Sequence, residues 1–326
     1  MKPILFLIPF LVLFSCKKND ISSPDNSPLL SLDSLKTLSS NIPNAAYTDL
    51  TFINETTGFA IAQGVVVKTA DGGNTWTSVT VPINTPLKKI QFTDSQTGYI
   101  IGGDNTFGVL LKTRDGGQTW AVINLNTLES PTGLYFIDRN TGFIVGKNLF
   151  SKTIDGGQTW TSQKSNGFRM FQDVKFKNNN EGYVTSSGGV YFKTLNGGNS
   201  WDSLIYRGAN YLYDIYFTGD KTFVVQSTDS LVDLAHGYAV TKKPANAFKF
   251  AFFTPERSIA IGAHYMQGFF PYGDIMITND GWNTFTQNTF STVVSIGFSA
   301  IAKMSDRKVM ILGVGFSGPT VMVLNW

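Results

Sequence analysis

Four copies of one phrase dominate this chain: Lys68-Thr69-Ala70-Asp71-Gly72-Gly73-Asn74-Thr75-Trp76, then the same pattern ending at Trp120, Trp160 and Trp201. A fifth copy, Thr278 to Phe285 with Asp280, and a decayed one, Thr241 to Phe248, keep the seven-residue step from threonine to aromatic. The aromatic ends are 44, 40, 41, 47 and 37 residues apart. A period of about 40 residues, each unit one supersecondary element, signals a propeller or solenoid.

The rest of the unit repeats too. An apolar-x-Phe strand start recurs at Phe52, Phe92, Phe136, Phe176 and Phe217, and in the four best units it lies 16 residues after the boxed Trp. A polar turn ending in glycine follows, as at Gly58 and Gly98, and the glycine is expected to supply the positive φ of a hairpin turn. Two short strands, the box and a fourth strand complete the unit. Four antiparallel strands per unit match a propeller blade, and the chain is predicted to be all-β, a single seven-bladed propeller over residues 29–326. Six or eight blades also fit the period. The last unit stops one strand short, and Leu29 to Leu38 could supply that outer strand and remove the open edge.

Within the box, Asp accepts hydrogen bonds from nearby backbone amides, Gly-Gly permits a left-handed turn, Thr adds a hydroxyl and Trp buries its ring between blades. Repetition in every blade suits a fold requirement better than one active site. The positions assigned to this structural role are Asp71, Trp76, Asp115, Trp120, Asp155, Trp160, Asn196, Trp201, Asp280 and Phe285. The fourth copy carries Asn196 and Ser200 for Asp and Thr, and the decayed copy Lys243-Pro244 for Asp-Gly, changes that a turn tolerates.

Residues 1–16 read as a secretion signal: Lys2, an apolar run from Pro3 to Phe14, then Ser15-Cys16, too short for a membrane span of about 20 residues. Leu13-Phe14-Ser15-Cys16 resembles a bacterial lipobox, although Phe14 stands where small or β-branched residues are commoner. Cys16 is the only cysteine, so it can form no internal disulfide, and lipidation accounts for it. Residues 17–28, rich in Ser, Asn, Asp and Pro, read as a flexible tether. The expected location is the bacterial outer membrane, on its periplasmic side or at the cell surface, held through lipidated Cys16. The short Lys17-Lys18-Asn19-Asp20 run is similar to Bacteroidetes-type lipoproteins.

The box resembles the Asp-box, or BNR, repeat, and the whole unit over about residues 47–288 is similar to the photosystem II assembly and stability factor type of propeller. That resemblance implies the fold and leaves activity open, because Asp boxes also occur in sialidases, xyloglucan-cleaving hydrolases and sortilin-type receptors. A sialidase would need an early Arg-Ile-Pro segment and an arginine triad. The first arginine here is Arg114, and Phe168-Arg169-Met170 lacks the proline. Asp49, Asp173 and Asp214 recur three residues before the inner-strand Phe and could ring one channel mouth, although Lys89 and Gly133 occupy that position in blades two and three. A capping role for these acids is one reading, and a hydrolase carboxylate pair is the other.

Charged residues make up 15% of the chain with a net charge of +3 spread over all blades, so nothing points to nucleic acid. The two histidines lack metal-ligand spacing, and neither a metal nor a cofactor is expected. The most informative loops are those joining blades and those between second and third strands, all expected on one face. They carry Phe168, Arg169, Phe171, Tyr206, Arg207, Tyr211, His236, His264, Tyr265, Phe269 and Tyr272, the candidate binding residues. Alternatively, those aromatics fold down to plug the channel. The leading expectation is a monomeric, non-enzymatic, lipid-anchored module that binds an envelope protein or glycan; the alternative is a glycoside hydrolase using channel-mouth carboxylates.

Overall fold

The computed structural model describes residues 29–104, 106–125, 131–164, 169–208, 211–227, 230–265, 271–290, 297–315 and 318–326. They form seven four-stranded antiparallel sheets, one for each unit. The inner strands are Asp49–Phe52, Leu87–Phe92, Pro131–Phe136, Phe171–Phe176, Leu212–Thr218, Ala247–Phe252 and Gly297–Ser305, and they lie side by side around a central channel. The described residues thus make seven blades, and the first strand among them closes the ring. Leu35–Leu38 pairs with Gly318–Asn325, with Leu35 opposite Leu324 and Leu38 opposite Val321, and becomes the outer strand of the seventh blade. Ahead of it, Leu30 is buried, and its backbone amide and carbonyl both bond the side-chain amide of Asn279 in blade six.

Second strands such as Gly58–Ala62, Gly98–Gly103 and Gly142–Gly146 are buried at every residue, because neighbouring sheets cover both faces. This explains their continuous apolar runs. Outer strands such as Asp202–Ile205 and Ala239–Lys242 are largely exposed and mix polar with apolar residues.

Blades meet through an aromatic seam. Phe59 of blade one stacks on Phe92 of blade two at 4.7 Å, Tyr99 on Phe136 of blade three at 3.6 Å, and Phe143 on Phe176 of blade four at 4.7 Å. The boxed Trp of the later blade closes each stack edge-on: Trp120 against Phe92, Trp160 against Phe136, Trp201 against Phe176. Edge-to-face geometry sets the positive ring edge against the negative face.

The box that delivers each Trp is a small hydrogen-bonded cage. Asp71 accepts from the Thr75 amide at 2.9 Å and its hydroxyl at 2.6 Å, while Thr69 donates to Asp71 and accepts from the Gly73 amide. These bonds, led by those from Thr75, hold the Asp71 carboxyl below its usual range, and Thr119 does the same for Asp115. Asn196 reproduces the cage without charge, accepting from Thr194 and the Ser200 amide and donating to the Ser200 hydroxyl. The lysine ahead of the box reaches the next blade. Lys68, Lys112 and Lys152 donate to the carbonyls of Gly116, Gly156 and Gly197 at 2.8, 2.7 and 3.0 Å, each passing over the seam aromatic of its own blade.

The structure corrects three local expectations. The turn-closing glycines Gly58, Gly98, Gly142 and Gly182 do not have positive φ. The turns are set by Asn54, Asp94, Asp138 and Asn178, whose side chains accept from the amides two and three residues on. Glycine is needed because a Cβ at Gly58 would lie 2.6 Å from the Phe52 ring, and one at Gly142 2.4 Å from the Phe136 ring. In blade five, Thr241 lies in the outer strand Ala239–Lys242, so the segment Thr241 to Phe248 is not a box. The corresponding turn is Leu234 to Tyr238, and Tyr238 takes the Trp place, its hydroxyl 3.0 Å from that of Tyr191. In blade six, Phe285 is 46% exposed, and the buried aromatic is Trp282 at 4%, edge-on to Phe250 at 5.7 Å. Trp282 stands where the other boxes have their second glycine and keeps that glycine's conformation, φ 72°.

Two measurements follow. Replacing Lys112 with Met removes a charged donor to a backbone carbonyl and should lower unfolding free energy by about 1–3 kcal/mol. Lys193 meets no box in blade five and pairs instead with Glu181 at 3.2 Å, so Lys193→Met should cost under about 1 kcal/mol in the same denaturation experiment. Trp282→Gly should destabilise by about 3–5 kcal/mol. Adding Phe285→Trp restores the usual box and should recover most of that loss; if the double variant melts with the single one, the anchor has not moved as described.

Candidate functional site

Along an inner strand, residues one and three before the closing Phe point away from the seam and toward the channel. The outer of these two layers reads Asp49, Lys89, Gly133, Asp173, Asp214 and Lys249 over blades one to six. Gly133 is small because blade four presses in, a Cβ there lying 2.8 Å from the Asp173 Cα.

The acids have different roles. Asp49 accepts from the Ile90 amide at 2.9 Å and ties blade one to blade two. Asp214 is saturated: Lys175 lies at 2.5 Å, its own Ile215 amide at 2.9 Å, and the Tyr216 hydroxyl donates at 2.6 Å. Asp173 is 2% exposed, with Lys175 at 3.4 Å and Lys89 at 3.8 Å, and its Oδ2 accepts no hydrogen bond. Burial raises the Asp173 pKa, and the two lysines only partly offset that. For Asp214 burial acts the same way, but Lys175, Lys89 and a hydrogen bond from Asp173 override it and hold the carboxyl well below its usual range. Burial alone would lower Lys89, yet Asp173, Asp214 and Asp49 hold it above the ordinary lysine range, whereas burial prevails at Lys249 and lowers it. A hydrolase needs one carboxyl free to protonate a leaving group and one free to attack or to activate water. Here Lys175 lies against both, and Asp214 is fully engaged.

The second layer stitches neighbouring inner strands. Gln91 exchanges two bonds with the backbone of Phe136, Tyr135 donates to the Phe176 carbonyl, Lys175 to that of Ile215, and Tyr216 accepts from the Phe250 amide. Lys249 crosses the channel to the Thr48 carbonyl at 2.8 Å.

On the face where blade connections emerge, the channel widens into a cavity of about 500 Å³ whose wall includes Lys89, Asp173, Gln226, Tyr213, Phe248 and Lys249. Tyr213 is 42% exposed and stacks parallel on Tyr211 at 6.0 Å.

The expected loop residues are only partly gathered there. Tyr211 sits beside the cavity rim through Tyr213, and Arg207 is exposed. Phe171 is buried in the core with Phe143, Val174 and Phe176, so it presents nothing to a ligand. Arg169 lies over the Phe192 ring, and Tyr206 packs on Tyr238. His236 belongs to the opposite face. The third strand of blade five ends at Asp233, so His236 falls in the third-to-fourth turn, where other blades have their boxes, and bridges Asp233 at 2.7 Å and Asp220 at 3.2 Å. His264, Tyr265 and Tyr272 lie on the long hairpin of blade six, where His264 pairs with Tyr272. Phe168, Phe269 and Cys16 lie outside the described residues. Sequence reasoning passed over Lys249, Gln226 and Tyr213. The signal was available for Lys249, which stands three before Phe252 as Asp49 stands before Phe52.

The family model for the photosynthesis system II assembly factor YCF48 matches residues 33–129 and 118–210. No curated protein sequence is significantly similar to the chain. Among solved structures, a YCF48 bound to a D1 peptide aligns with TM-score 0.72 at 19% identity, covering 92% of this chain and 99% of that one. YCF48 from Cyanidioschyzon merolae aligns at 0.69 and 16%, covering 90% and 98%. A streptogramin B lyase aligns at 0.67 and 13%, covering 89% and 97%, so the architecture also occurs in an enzyme. With the matched segments spanning more than half of the 326 residues and carrying the Lys-Thr-x-Asp-Gly-Gly box and its seam, this chain belongs to the photosynthesis system II assembly factor YCF48 family.

Proposed function

We propose that this protein is an exported, lipid-anchored propeller of the bacterial envelope that binds a partner protein on its loop face and performs no chemistry on it. The observation that carries the reading is family membership together with the D1 peptide bound to a YCF48 of the same architecture. Three further features support it. The boxed aspartates are occupied in holding turns. Asp214 is committed to Lys175, Tyr216 and the Ile215 amide. Exposed aromatics of the kind favoured as anchors, Tyr211, Tyr213 and Phe248, stand on the loop face. At the amino terminus, the lipobox-like Cys16 and the polar stretch of residues 17–28 supply an anchor and a leash.

Two experiments test this. Metabolic labelling with a radioactive fatty acid should mark the wild-type protein, and Cys16→Ser should abolish the label and move the protein from the membrane fraction to the soluble one. An unlabelled wild-type chain would remove the anchor from the proposal. Chemical crosslinking in intact cells followed by mass spectrometry should recover one dominant partner, crosslinked through loop-face positions. Replacing Arg207 and Tyr211 with Ala should weaken capture about tenfold or more. Crosslinks confined to the box face, or capture indifferent to both substitutions, would sink the docking assignment.

A further inference from the structure

The wall of the channel-mouth cavity holds one buried acceptor without a donor, Gln226 Oε1, and one that is only loosely served, Asp173 Oδ2, which has the Lys175 ammonium at 3.4 Å outside hydrogen-bond geometry. Asp173 Oδ2 and Gln226 Oε1 belong to side chains 2% and 4% exposed, and neither accepts a hydrogen bond. A buried acceptor left unpaired is costly, so Gln226 Oε1 beside the loosely served Asp173 carboxyl marks a place where donors from outside are accommodated. The same wall holds unused donors. Lys249 Nζ bonds the Thr48 carbonyl and keeps two N–H groups, and Lys89 Nζ has Asp173 Oδ1 only at 3.8 Å. A bare anion would face Asp173 and Asp214, and a bare cation would face Lys89, Lys175 and Lys249. The chemistry that satisfies such a wall offers donors and acceptors together at close spacing, as every hydroxyl does.

The rim adds a second requirement. Tyr213 and Phe248 line the cavity and remain 42% and 38% exposed, and Tyr211 stacked behind Tyr213 holds that ring as a fixed platform. A ring face beside convergent polar groups suits a ligand with an apolar C–H face and a polar edge. The cavity, about 500 Å³, lies within the range of about 300–1,000 Å³ for small-molecule sites.

From these features we propose that the channel mouth is a saccharide-binding site, with Asp173 and Gln226 accepting from sugar hydroxyls, Lys89 and Lys249 donating to them, and the sugar face resting on Tyr213 and Phe248. This site shares Tyr213 and Phe248 with the loop face proposed for protein docking, but it is argued from the cavity's own acceptors, donors and rings and does not depend on that docking.

The test uses the full lipidated chain in detergent on an array of hexoses, N-acetylhexosamines, deoxyhexoses, uronic acids and their oligomers, with hits measured by titration calorimetry. At least one saccharide class should be retained. Tyr213→Ala, at an exposed position, and Gln226→Leu should each weaken binding about tenfold or more, and Asp173→Asn should do so without changing the preferred sugar. Far-UV circular dichroism would identify any variant that has lost the fold, and Tyr213→Ala then carries the test because its ring supports no core. An empty array, or affinity unchanged in Tyr213→Ala and Gln226→Leu, overturns the assignment. Crosslinking to the partner protein is read separately, so absence of sugar binding by the wild-type chain with partner capture intact would overturn this site alone.

Discussion

Everything in this molecule rests on the contact between one blade and the next. A four-stranded sheet of about 40 residues cannot cover its own faces, so its apolar strands are stable only when sheets lie against both sides. The seam supplies that cover in a fixed form: a ring from the second strand of one blade, the inner-strand Phe of the next, and a Trp edge-on to the latter. The Asp box exists to aim that Trp. The lysine before the box spans the seam to a backbone carbonyl that has no strand partner, so a polar bond accompanies each aromatic stack. Aromatic contact and charge-assisted bond therefore lie at the same boundary, and loss of a box in one blade is felt by the lysine of the blade before it, as at Lys193.

Repetition made the architecture legible. The box spacing identified the blades, and the missing last strand pointed to the amino terminus as the closing element, as Leu35–Leu38 shows. Errors arose where the repeat had decayed. Matching Thr241 to Phe248 by the seven-residue step placed a box one strand late, because the step reads threonines and aromatics but not where a strand ends. In blade six the same step selected Phe285, although Trp282 was only three residues away. Which of two aromatics is buried depends on a ring from another blade, here Phe250, and that is not local information. The glycine that opens the second strand in blades one to four reads in sequence as backbone freedom, whereas its reason is a Phe ring six residues upstream in the hairpin.

The candidate site was less legible for a related reason. Its residues come one or two from each blade and meet only across the channel, as Lys89 meets Asp173 from two blades away. Their recurrence three positions before the inner-strand Phe could be read from sequence, and their charge pairing could not. What repeats from blade to blade in this chain serves the seam. What varies between blades at equivalent positions, Asp49, Lys89, Gly133, Asp173, Asp214 and Lys249, gives the channel mouth its mixed charge.

Closure by the first strand also sets the timing of folding. The partner of Leu35 is Leu324, so a chain synthesised from its amino terminus holds Leu35–Leu38 unpaired until residues 321–324 have been made. Blades can form in order as they emerge, yet the ring stays open and one edge of the seventh sheet stays unsatisfied until the two ends meet. A contact of such sequence separation makes closure a late and slow event. Removal of residues 321–324 would therefore release Leu35–Leu38 as well, and these two segments share one fate.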